Sequence, residues 1–464
     1  MKIIISEFIR ICAVGLPPAF IADLKRALIF ENPAYLRGLR YGSHRMDVSP
    51  FLFNIWQDGN DLILVRGFTR SLINLCHRHR LAFEIEDRTQ FLPQGKFSFS
   101  GTLYGYQHEA VKELEKRRFS VLTGPMGCGK RVTALYMATH YKQPVLIVVA
   151  TRRQIHLWRG LIRRFLGLPD SEIGQVGGGM KRFGDKITVA VVPGIYSAME
   201  EATARTGFLI LDRADTVNIN VFRKAVLPFN TPYMLGLANN PKRTDGLTKL
   251  MFSYLGEMAH EIKLPGKFEG MGVARPRLIA RRTAFQYLYR EDFGAMIKAL
   301  CSDEARNSLI MADVLQETAD ARVRALILSE RIDHLQVIKT LIAQAQGREC
   351  EIINSDMTEK QRKKILEDYN KQPGILLTTY LTVRSISLQG VTRLFIASPV
   401  KNEESISHAV SALIADGSGT EGEQTRIFDY RDTNIHVLNA SFQKRRKFYH
   451  SMGVIVADVS QEQT

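Results

Sequence analysis

Short apolar runs alternate with amphipathic stretches through most of the chain after residue 103. Each run has the length and composition of a strand buried on both faces, and polar turns bound it. In the first half, the runs are SVLTG (120–124), PVLIVVA (144–150), ITVAVV (187–192) and FLILD (208–212). The stretches GYQHEAVKELEKRR and QIHLWRGLIRRFLG predict amphipathic helices. This alternation indicates a parallel, doubly wound α/β sheet.

The same pattern repeats in the second half of the chain, after a predicted helical connection near 291–320. Its apolar runs are RALILS (324–329), CEIIN (350–354), GILLTTY (374–380), RLFIAS (393–398) and TRIFDY (425–430). Residues 1–95 differ, because β-like runs such as DLILVRGF there follow turn signals without a regular alternation. We therefore predict an α/β protein with two tandem parallel-sheet domains, 96–288 and 289–464, preceded by a small mixed α/β module, 1–95.

Composition adds a charge imbalance to this picture. Hydrophobic residues make up 45% of the 464 residues and charged residues 24%, which is typical of a soluble globular protein. The net charge of +16 is not typical, and it favours an anionic partner, most often nucleic acid. A soluble protein that is merely basic is the alternative.

Cysteine usage and hydropathy indicate the compartment. The cysteines lie far apart along the chain, at Cys12, Cys76, Cys128, Cys301 and Cys350. Their spacing matches neither a zinc site nor a disulfide framework, so we expect no metal centre and a reducing, cytoplasmic location. Glu7 and Arg10 interrupt the apolar N-terminus, and no later window reaches membrane length, so no membrane association is expected.

A glycine-rich segment lies between the predicted strand 120–124 and a helix that begins near Lys130. It reads Gly124-Pro125-Met126-Gly127-Cys128-Gly129-Lys130 and fits the pattern GxxxxGK. In such a loop the glycines let backbone N–H groups curl around phosphates, and the lysine reaches the terminal phosphates. The strand before it and the helix after it are the context that a phosphate-binding loop requires.

Further motifs stand in a fixed order around this loop. Tyr106-Gln107 precedes it, and VVATRRQIHLWR, Gly177–Gly179, LILD (209–212) and LGLANNPKRTDGL (235–247) come after it. This order resembles superfamily 2 DEAD/DEAH-box helicases, especially the phage and bacterial DNA helicases that remodel branched DNA. The second half is similar through ILLTTY and LFIASP, and NPAY and RGF resemble the N-terminal module of those proteins. The resemblance therefore covers nearly the whole chain.

This resemblance implies two RecA-like domains that bind ATP in their cleft and DNA across their top, behind an N-terminal DNA-binding-like module. Gln107 would read the adenine. The other implied nucleotide contacts are Gly124, Gly127, Gly129, Lys130 and Asp212. The implied nucleic-acid contacts are Thr151, Arg152, Gly177, Gly178 and Gly179 in the first domain, with Ser329 and Thr379 in the second.

The chain departs from the family pattern at the two places that hold and use the metal. Where the family has a Thr or Ser ligand for Mg²⁺, this chain has Arg131, whose guanidinium cannot coordinate a cation. The DEAH box reads Asp212-Arg213-Ala214-Asp215. Its first aspartate remains, but Arg213 replaces the glutamate that orients the attacking water, so no general base stands there.

Three later motifs depart as well. The Ser-Ala-Thr motif reads Ala238-Asn239-Asn240, and the Glu-Gly-x-Asp run aligns with Arg384-Ser385-Ile386-Ser387. The last motif, QxxGRxxR, falls on His408, Ser411, Ala412 and Ala415, so both arginine fingers are missing. One such arginine contributes about three to five powers of ten in rate. We therefore expect ATP binding to be weak at most, and Mg²⁺ binding to be doubtful.

Three hypotheses account for these departures. We favour a nucleic-acid-binding pseudo-helicase that lacks ATPase activity and acts as a DNA-binding or complex-scaffolding subunit. The second is an active ATP-dependent translocase with Asp215 as a substitute base and arginines from another subunit. The third is a protein-interaction subunit, paired with an active helicase, that does not itself bind DNA.

Two further features have a structural and a functional interpretation. Trp158 recurs at helical spacing with Ile162 and Phe165, which favours core packing. The basic run 444–447 has aromatic neighbours and could contact a nucleic-acid backbone. We prefer the structural interpretation of this run, a basic C-terminal helix with an apolar face.

Overall fold

The structure is a computed structural model of the chain. The residues it describes are 1–40, 48–125, 127–243, 245–263, 275–347, 350–383, 386, 388, 390–400, 404–415 and 425–456. The chain divides into two compact units. The first comprises Met1–Gly124 and Gly129–Ile262, and the second comprises Pro125–Cys128 and Lys263–Thr464.

The first unit begins with a small mixed α/β module. Its elements are β1 (Lys2–Ile5), β2 (Phe8–Cys12), α1 (Pro18–Leu28), β3 (Ile29–Glu31), α2 (Pro33–Arg40), β4 (Phe51–Phe53), β5 (Ile55–Asp58), β6 (Asp61–Val65), α3 (Thr69–Arg78) and β7 (Glu84–Asp87). Five strands form a sheet in the order β5-β6-β2-β1-β7, and β3 pairs with β4. Only the β1–β7 pair of the larger sheet is parallel, so the module differs in type from the mainly parallel sheets later in the chain.

The RGF segment after β6 attaches this module to the rest of the first unit. The buried Arg66 guanidinium donates to the carbonyls of Ser6 (3.2 Å) and Thr231 (2.9 Å), which lie on the two sides of the junction. A Cβ at Gly67 would lie 2.5 Å from the backbone nitrogen of Gly256. The backbones therefore approach so closely that only glycine fits at this position.

The rest of the first unit is built around an eight-stranded sheet. Its elements are α4 (Gly105–Glu115), β8 (Phe119–Thr123), α5 (Lys130–Tyr141), β9 (Val145–Val149), α6 (Arg152–Leu166), β10 (Ile173–Gly177), β11 (Met180–Arg182), β12 (Ile187–Val191), α7 (Val192–Tyr196), α8 (Met199–Ala204), β13 (Phe208–Asp212), α9 (Ile219–Ala225), β14 (Tyr233–Ala238), α10 (Thr248–Leu255) and β15 (Met258–Glu261).

The strand order of this sheet is β11-β10-β12-β9-β13-β14-β8-β15, and every pair except β10–β11 is parallel. The central strands β9, β12 and β13 are buried at every position, as expected for parallel strands covered on both faces. Because parallel strands point the same way, the loops after β8, β13 and β14 meet at one edge of the sheet.

The second unit contains a seven-stranded, wholly parallel sheet in the order β18-β19-β17-β20-β21-β16-β22. Its elements are β16 (Arg277–Arg282), α11 (Phe293–Cys301), α12 (Glu304–Glu317), β17 (Ala325–Ser329), α13 (Ile332–Gln346), β18 (Glu351–Ile353), α14 (Glu359–Lys371), β19 (Ile375–Thr379), α15 (Tyr380–Val383), β20 (Arg393–Ile396), α16 (Glu404–Ala415), β21 (Arg426–Arg431), α17 (His436–Ser451) and β22 (Ile455–Val456).

The predicted fold class, an α/β protein with two parallel sheets in tandem behind a small mixed module, is confirmed. Every apolar run that predicted a strand contains one, because each run is buried among helices and neighbouring strands. One boundary requires correction. Residues 277–282 fall within the predicted first domain, 96–288, but they form β16, which pairs along its whole length with β21 of the second unit. The alternation in RLIARR is too short to assign this strand to either sheet from sequence.

Candidate nucleotide and nucleic-acid site

The glycine-rich loop joins β8 to α5 in the first unit, as its pattern predicts. Gly129, the residue before α5, has φ +81°, in the left-handed region that favours glycine. The next residue, Lys130, is almost fully buried, and its Nζ donates to the carbonyl of Gly124 at 2.5 Å. The lysine ammonium therefore lies over the loop itself, where the phosphate-binding interpretation requires it. Met126 lies outside the described residues.

Gln107 lies directly against this loop. Its Oε1 accepts the backbone N–H of Tyr104 at 2.9 Å, which caps the start of α4. A Cβ built at Gly129 would lie only 2.0 Å from Gln107 Nε2. The structure thus brings together two residues that the resemblance assigns to the nucleotide. The contact of Gln107 with adenine stays a prediction.

Arg131 and Asp212 form an ion pair at the position where the resemblance implies a metal. Arg131 Nε and Nη2 lie 3.0 and 2.9 Å from Asp212 Oδ2. The indole Nε1 of Trp158 donates to the same oxygen at 2.9 Å, and the Arg131 guanidinium carbon lies 5.8 Å from the centre of the Trp158 ring. The Asp212 side chain is only 4% exposed. A buried carboxylate is therefore compensated by a guanidinium and an indole of the same chain.

The loop after Asp212 brings two further ionisable groups to this edge. Arg213 has φ +57°, which is uncommon for a residue other than glycine, asparagine or aspartate. Its Nε lies 4.0 Å from Asp215 Oδ1. Burial raises the pKa of the Asp215 carboxyl, while the charge of Arg213 and the backbone N–H of Asn239 act in the opposite direction. The Asn239 contact links this loop to the Ala238-Asn239-Asn240 segment after β14.

Arg243 holds these two loops together, a role that its sequence context did not assign to it. Its Nη1 donates to the carbonyl of Ala214 and its Nη2 to that of Val217, both at 2.6 Å. Asp245 Oδ2 accepts from Nη2 at 2.6 Å. The guanidinium is buried over the Phe222 ring, so it positions the backbone and does not face solvent. The one available signal was an Arg and an Asp two residues apart in a loop.

Two predicted nucleic-acid contacts in the first unit lie at the exposed edge. Thr151 and Arg152 are both exposed at the start of α6. Gly177, Gly178 and Gly179 make the turn between β10 and β11, with φ of +107°, +70° and +88°. A Cβ at Gly178 would lie 3.7 Å from Arg152 Cδ. The turn and the arginine are therefore neighbours, although they are separated by more than twenty residues in sequence.

The predicted contacts in the second unit are much less accessible. Ser329 is fully buried, and its Oγ lies 2.9 Å from His334 Nδ1 and 3.3 Å from Ser398 Oγ. Thr379 is 9% exposed, and its hydroxyl donates to Thr382 Oγ1 at 2.9 Å. In this structure neither hydroxyl is available to contact a nucleic-acid strand. Each residue ends a central β-strand, and its hydroxyl forms hydrogen bonds within the unit.

The last two motifs are only partly described. Arg384, Ser385 and Ser387 lie outside the described residues, and the side chains of Ser411 and Ala415 do as well. Ala412 is half-buried against the core of the second unit. His408 Nε2 donates to the carbonyl of Ile386 at 2.9 Å. On α16, the described positions of the predicted finger motif therefore carry out packing and backbone contacts.

Trp158 and one residue of the basic C-terminal run, Arg445, are packing residues, while Lys444 and Lys447 of the same run are exposed. Trp158 is fully buried, which confirms its predicted place in the core, but its bond to Asp212 was not predicted. Within 444–447, Arg445 is buried, as are Phe442 and Tyr449 on the same face of α17.

Among the residues that the structure describes, no group of three or more His, Cys, Asp and Glu side chains is arranged to hold a metal ion. No helix in the described part of the chain is long and apolar enough to cross a membrane.

Comparison with known families identifies both halves. Residues 100–243 match the family model described as "Type III restriction enzyme, res subunit", and residues 308–411 match "Helicase conserved C-terminal domain". Together the two matches cover more than half of the chain.

Two similar proteins carry helicase or translocase names. A DNA 3'-5' translocase XPB2 of Sulfurisphaera tokodaii is 22% identical over 377 residues, covering 78% of this chain and 80% of the relative. The "Probable helicase D10" of Escherichia phage T5 is 23% identical over 353 residues, covering 70% of this chain and 74% of the relative.

Solved helicase structures share the fold. The helicase domain of Pyrococcus furiosus Hef matches with a TM-score of 0.52 at 12% identity, covering 74% of this chain and 98% of that domain. Dbp5 of S. cerevisiae, solved with RNA and ADP BeF3, matches with a TM-score of 0.52 at 12% identity, covering 77% of this chain and 89% of Dbp5. With both family matches in order along two RecA-like units, the chain belongs to superfamily 2 of the helicases.

Proposed function

We propose that this chain is a helicase-like nucleic-acid-binding protein that does not hydrolyse ATP and acts as a DNA-binding or complex-scaffolding subunit. The observation that carries the proposal is the ion pair of Arg131 with Asp212. Hydrolysis in this superfamily needs a metal ion at that aspartate and a carboxylate that orients water. Here the aspartate is compensated by an arginine, and Arg213 stands where the carboxylate would be.

The charge of the chain supports nucleic acid as its partner. The net charge is +16, and the exposed Arg152 lies beside the Gly177–Gly179 turn at one edge of the first sheet. A basic group beside an open glycine turn offers both a cation and backbone N–H groups to phosphates. One relative is named a DNA translocase, which supports DNA as the nucleic acid.

A second candidate function, an active translocase, is favoured by one observation. Burial raises the pKa of the Asp215 carboxyl, and a carboxyl with a raised pKa is a better proton acceptor than an ordinary aspartate. The buried position of Asp215 and the nearby Arg213 argue against it, because an attacking water would have to reach an oxygen that already faces a guanidinium.

Steady-state ATPase measurements separate these candidates. We expect the full chain, with single-stranded or branched DNA and Mg²⁺, to show no turnover above that of Lys130→Ala. Lys130 would bind the terminal phosphates, so real turnover must fall in that variant. DNA-stimulated turnover that disappears in Lys130→Ala and persists in the surface variant Lys142→Ala would overturn the proposal.

DNA binding is measured on the same preparations, by fluorescence anisotropy at several salt concentrations. Phosphate contacts predict a binding constant that falls steeply with salt, and Arg152→Ala should weaken binding and flatten the salt dependence by about one charge. Binding that is absent at low salt would instead support a subunit that contacts only other proteins.

A further inference from the structure

The Asp212 carboxylate is already saturated on one oxygen. Oδ2 receives the Nε and Nη2 of Arg131 and the indole N–H of Trp158, all at 2.9 to 3.0 Å. A Mg²⁺ ion would need a carboxylate oxygen at about 2.0–2.1 Å, in near-octahedral geometry and with its waters retained. A guanidinium at this distance repels such an ion and fills its coordination space. The residues present do not fit the metal that the family implies.

The rest of the loop keeps the features that bind phosphate. Lys130 is buried, and its ammonium donates to the loop carbonyl of Gly124. Gly129 keeps the left-handed conformation that starts α5. A phosphate oxygen can replace the Gly124 carbonyl as the acceptor of the lysine N–H, because a charged acceptor forms the stronger hydrogen bond. The site has therefore lost its metal ligand while retaining its anion-binding groups.

We infer that Arg131 is a built-in cation that replaces the divalent metal, so this loop binds a nucleoside triphosphate without Mg²⁺. The inference rests on the proposed function, because it concerns the same loop in a chain that does not hydrolyse ATP. The Arg131 side chain is 30% exposed, although its guanidinium pairs with the buried Asp212. Arg131 also has donors beyond the Nε and Nη2 that Asp212 uses, since a guanidinium carries five N–H groups.

Trp158 makes this arrangement observable. Its ring lies 5.8 Å from the Arg131 guanidinium, and its N–H is bonded to Asp212. The only other tryptophan of the chain, Trp56, lies in β5 of the N-terminal module. A ligand that pulls Arg131 away from Asp212 should therefore change Trp158 emission, and the variant Trp56→Phe isolates this signal.

The test is ATP binding to the full chain by calorimetry and Trp158 emission, once in EDTA and once with excess Mg²⁺. We expect wild-type protein to bind ATP at least as tightly in EDTA as with Mg²⁺. In Arg131→Ser, which removes the cation and frees Asp212, binding in EDTA should weaken about tenfold, since charge-assisted hydrogen bonds are lost. Addition of Mg²⁺ should then restore it.

Arg164→Ser is the matched control, because this exposed arginine lies on α6 away from the loop and should keep metal-independent binding. The wild-type comparison decides the question even if Arg131→Ser does not fold. Tight binding by the wild type only with Mg²⁺ overturns the inference, and so does a lack of ATP binding in both buffers. The proposed function is tested separately, because it fails if ATP is hydrolysed or if the chain does not bind DNA.

Discussion

Two arginine–aspartate pairs, one in each unit, use the same chemistry in opposite surroundings. In the second unit, Arg445 on α17 holds Asp429 on β21 through two parallel bonds of 2.8 Å, and both side chains are 1% exposed. In the first unit, Arg131 directs two donors at one oxygen of Asp212, and the arginine is 30% exposed. The Arg445–Asp429 pair is sealed in the core, while the Arg131–Asp212 pair lies at a sheet edge, where the arginine is partly exposed.

The surroundings of the two pairs extend this contrast. Asp429 also accepts the Tyr449 hydroxyl at 2.8 Å, and Arg445 Nη1 donates to Ser441 Oγ at 3.1 Å, so both partners are satisfied inside the unit. Near Asp212, by contrast, Lys130 and Arg213 add positive charge at the edge. The pair in the second unit is therefore structural, whereas the arginine of the pair in the first unit is partly exposed, as the proposed contact with a ligand requires.

The largest effect is expected from Arg445→Met. This change leaves Asp429 buried without its cation, and removing one partner of a buried pair costs about 3–5 kcal/mol in the free energy of unfolding. Equilibrium unfolding in urea measures it. Lys444→Met is the control, because Lys444 is exposed one position earlier on the same helix and its loss should cost within about 0.5 kcal/mol. Equal costs for the two variants would contradict a sealed pair.

A buried histidine at the edge of the second sheet supplies a pH test of the same contrast, because both of its hydrogen-bond partners are neutral groups. Ser329 Oγ and Asn307 Oδ1 lie 2.9 Å from the two ring nitrogens of the buried His334. Burial, and then the charge of Arg306, lower the pKa of His334 from 6.5 to about 3. Below pH 6.5 the unfolded chain takes up a proton that the folded chain refuses, so stability is lost as the pH falls.

This linkage predicts that His334 alone lowers the free energy of unfolding by about 2 kcal/mol between pH 6.5 and about pH 5, in addition to the contributions of other titrating groups. His334→Gln keeps a hydrogen-bonding side chain without the titration, so its urea unfolding should lack this part of the pH dependence. If the free energy of unfolding depends on pH in the same way in wild type and variant, His334 takes up its proton in the folded unit as it does in the unfolded chain. The buried histidine would then carry a charge, and the contrast with the first sheet would be lost.

The sequence predicts the strands and helices that carry both ion pairs better than it predicts the pairing itself. The strands that carry Asp212 and Asp429 were recognisable, because FLILD and TRIFDY are apolar runs of strand length. Arg445 lies in a basic run, and only its place on one helical face with Phe442 and Tyr449 indicates that it points inward. Sequence periodicity tells which residues share a face, but not which partner they meet there.

The candidate site was predictable where backbone conformation decides it. The glycine loop and the Gly177–Gly179 turn are found as the motifs predict, since positive φ selects glycine. The bond from Trp158 to Asp212 joins residues 54 positions apart, and nothing local encodes it. Ser329 was predicted to contact a nucleic-acid strand, but its hydroxyl is hydrogen-bonded to His334 and Ser398. The approach of these two residues depends on how α13 and β20 pack.

The smallest stability effect is expected at the open pair. Arg131→Met removes two donors from Asp212, but the Trp158 N–H remains and water can enter at a position where the arginine was partly exposed. We therefore expect a loss of about 1.5 kcal/mol in the free energy of unfolding, at the low end of the range for hydrogen bonds to a charged group, because water can take the place of the arginine. Urea unfolding monitored by Trp158 emission measures it, with Arg164→Met as the control for losing an exposed arginine.

The size of this loss relative to Arg445→Met is what distinguishes the two pairs. An Arg131→Met cost as large as that of Arg445→Met would mean that Asp212 depends on its arginine as a core residue does. The guanidinium could not then leave Asp212 for a ligand without unfolding its surroundings, and it could reach a phosphate only through the donors that Asp212 does not use. A small cost means that the fold tolerates the movement of Arg131 from Asp212 to a ligand. The charge-assisted hydrogen bonds to one phosphate would then offset the loss of the bonds to Asp212.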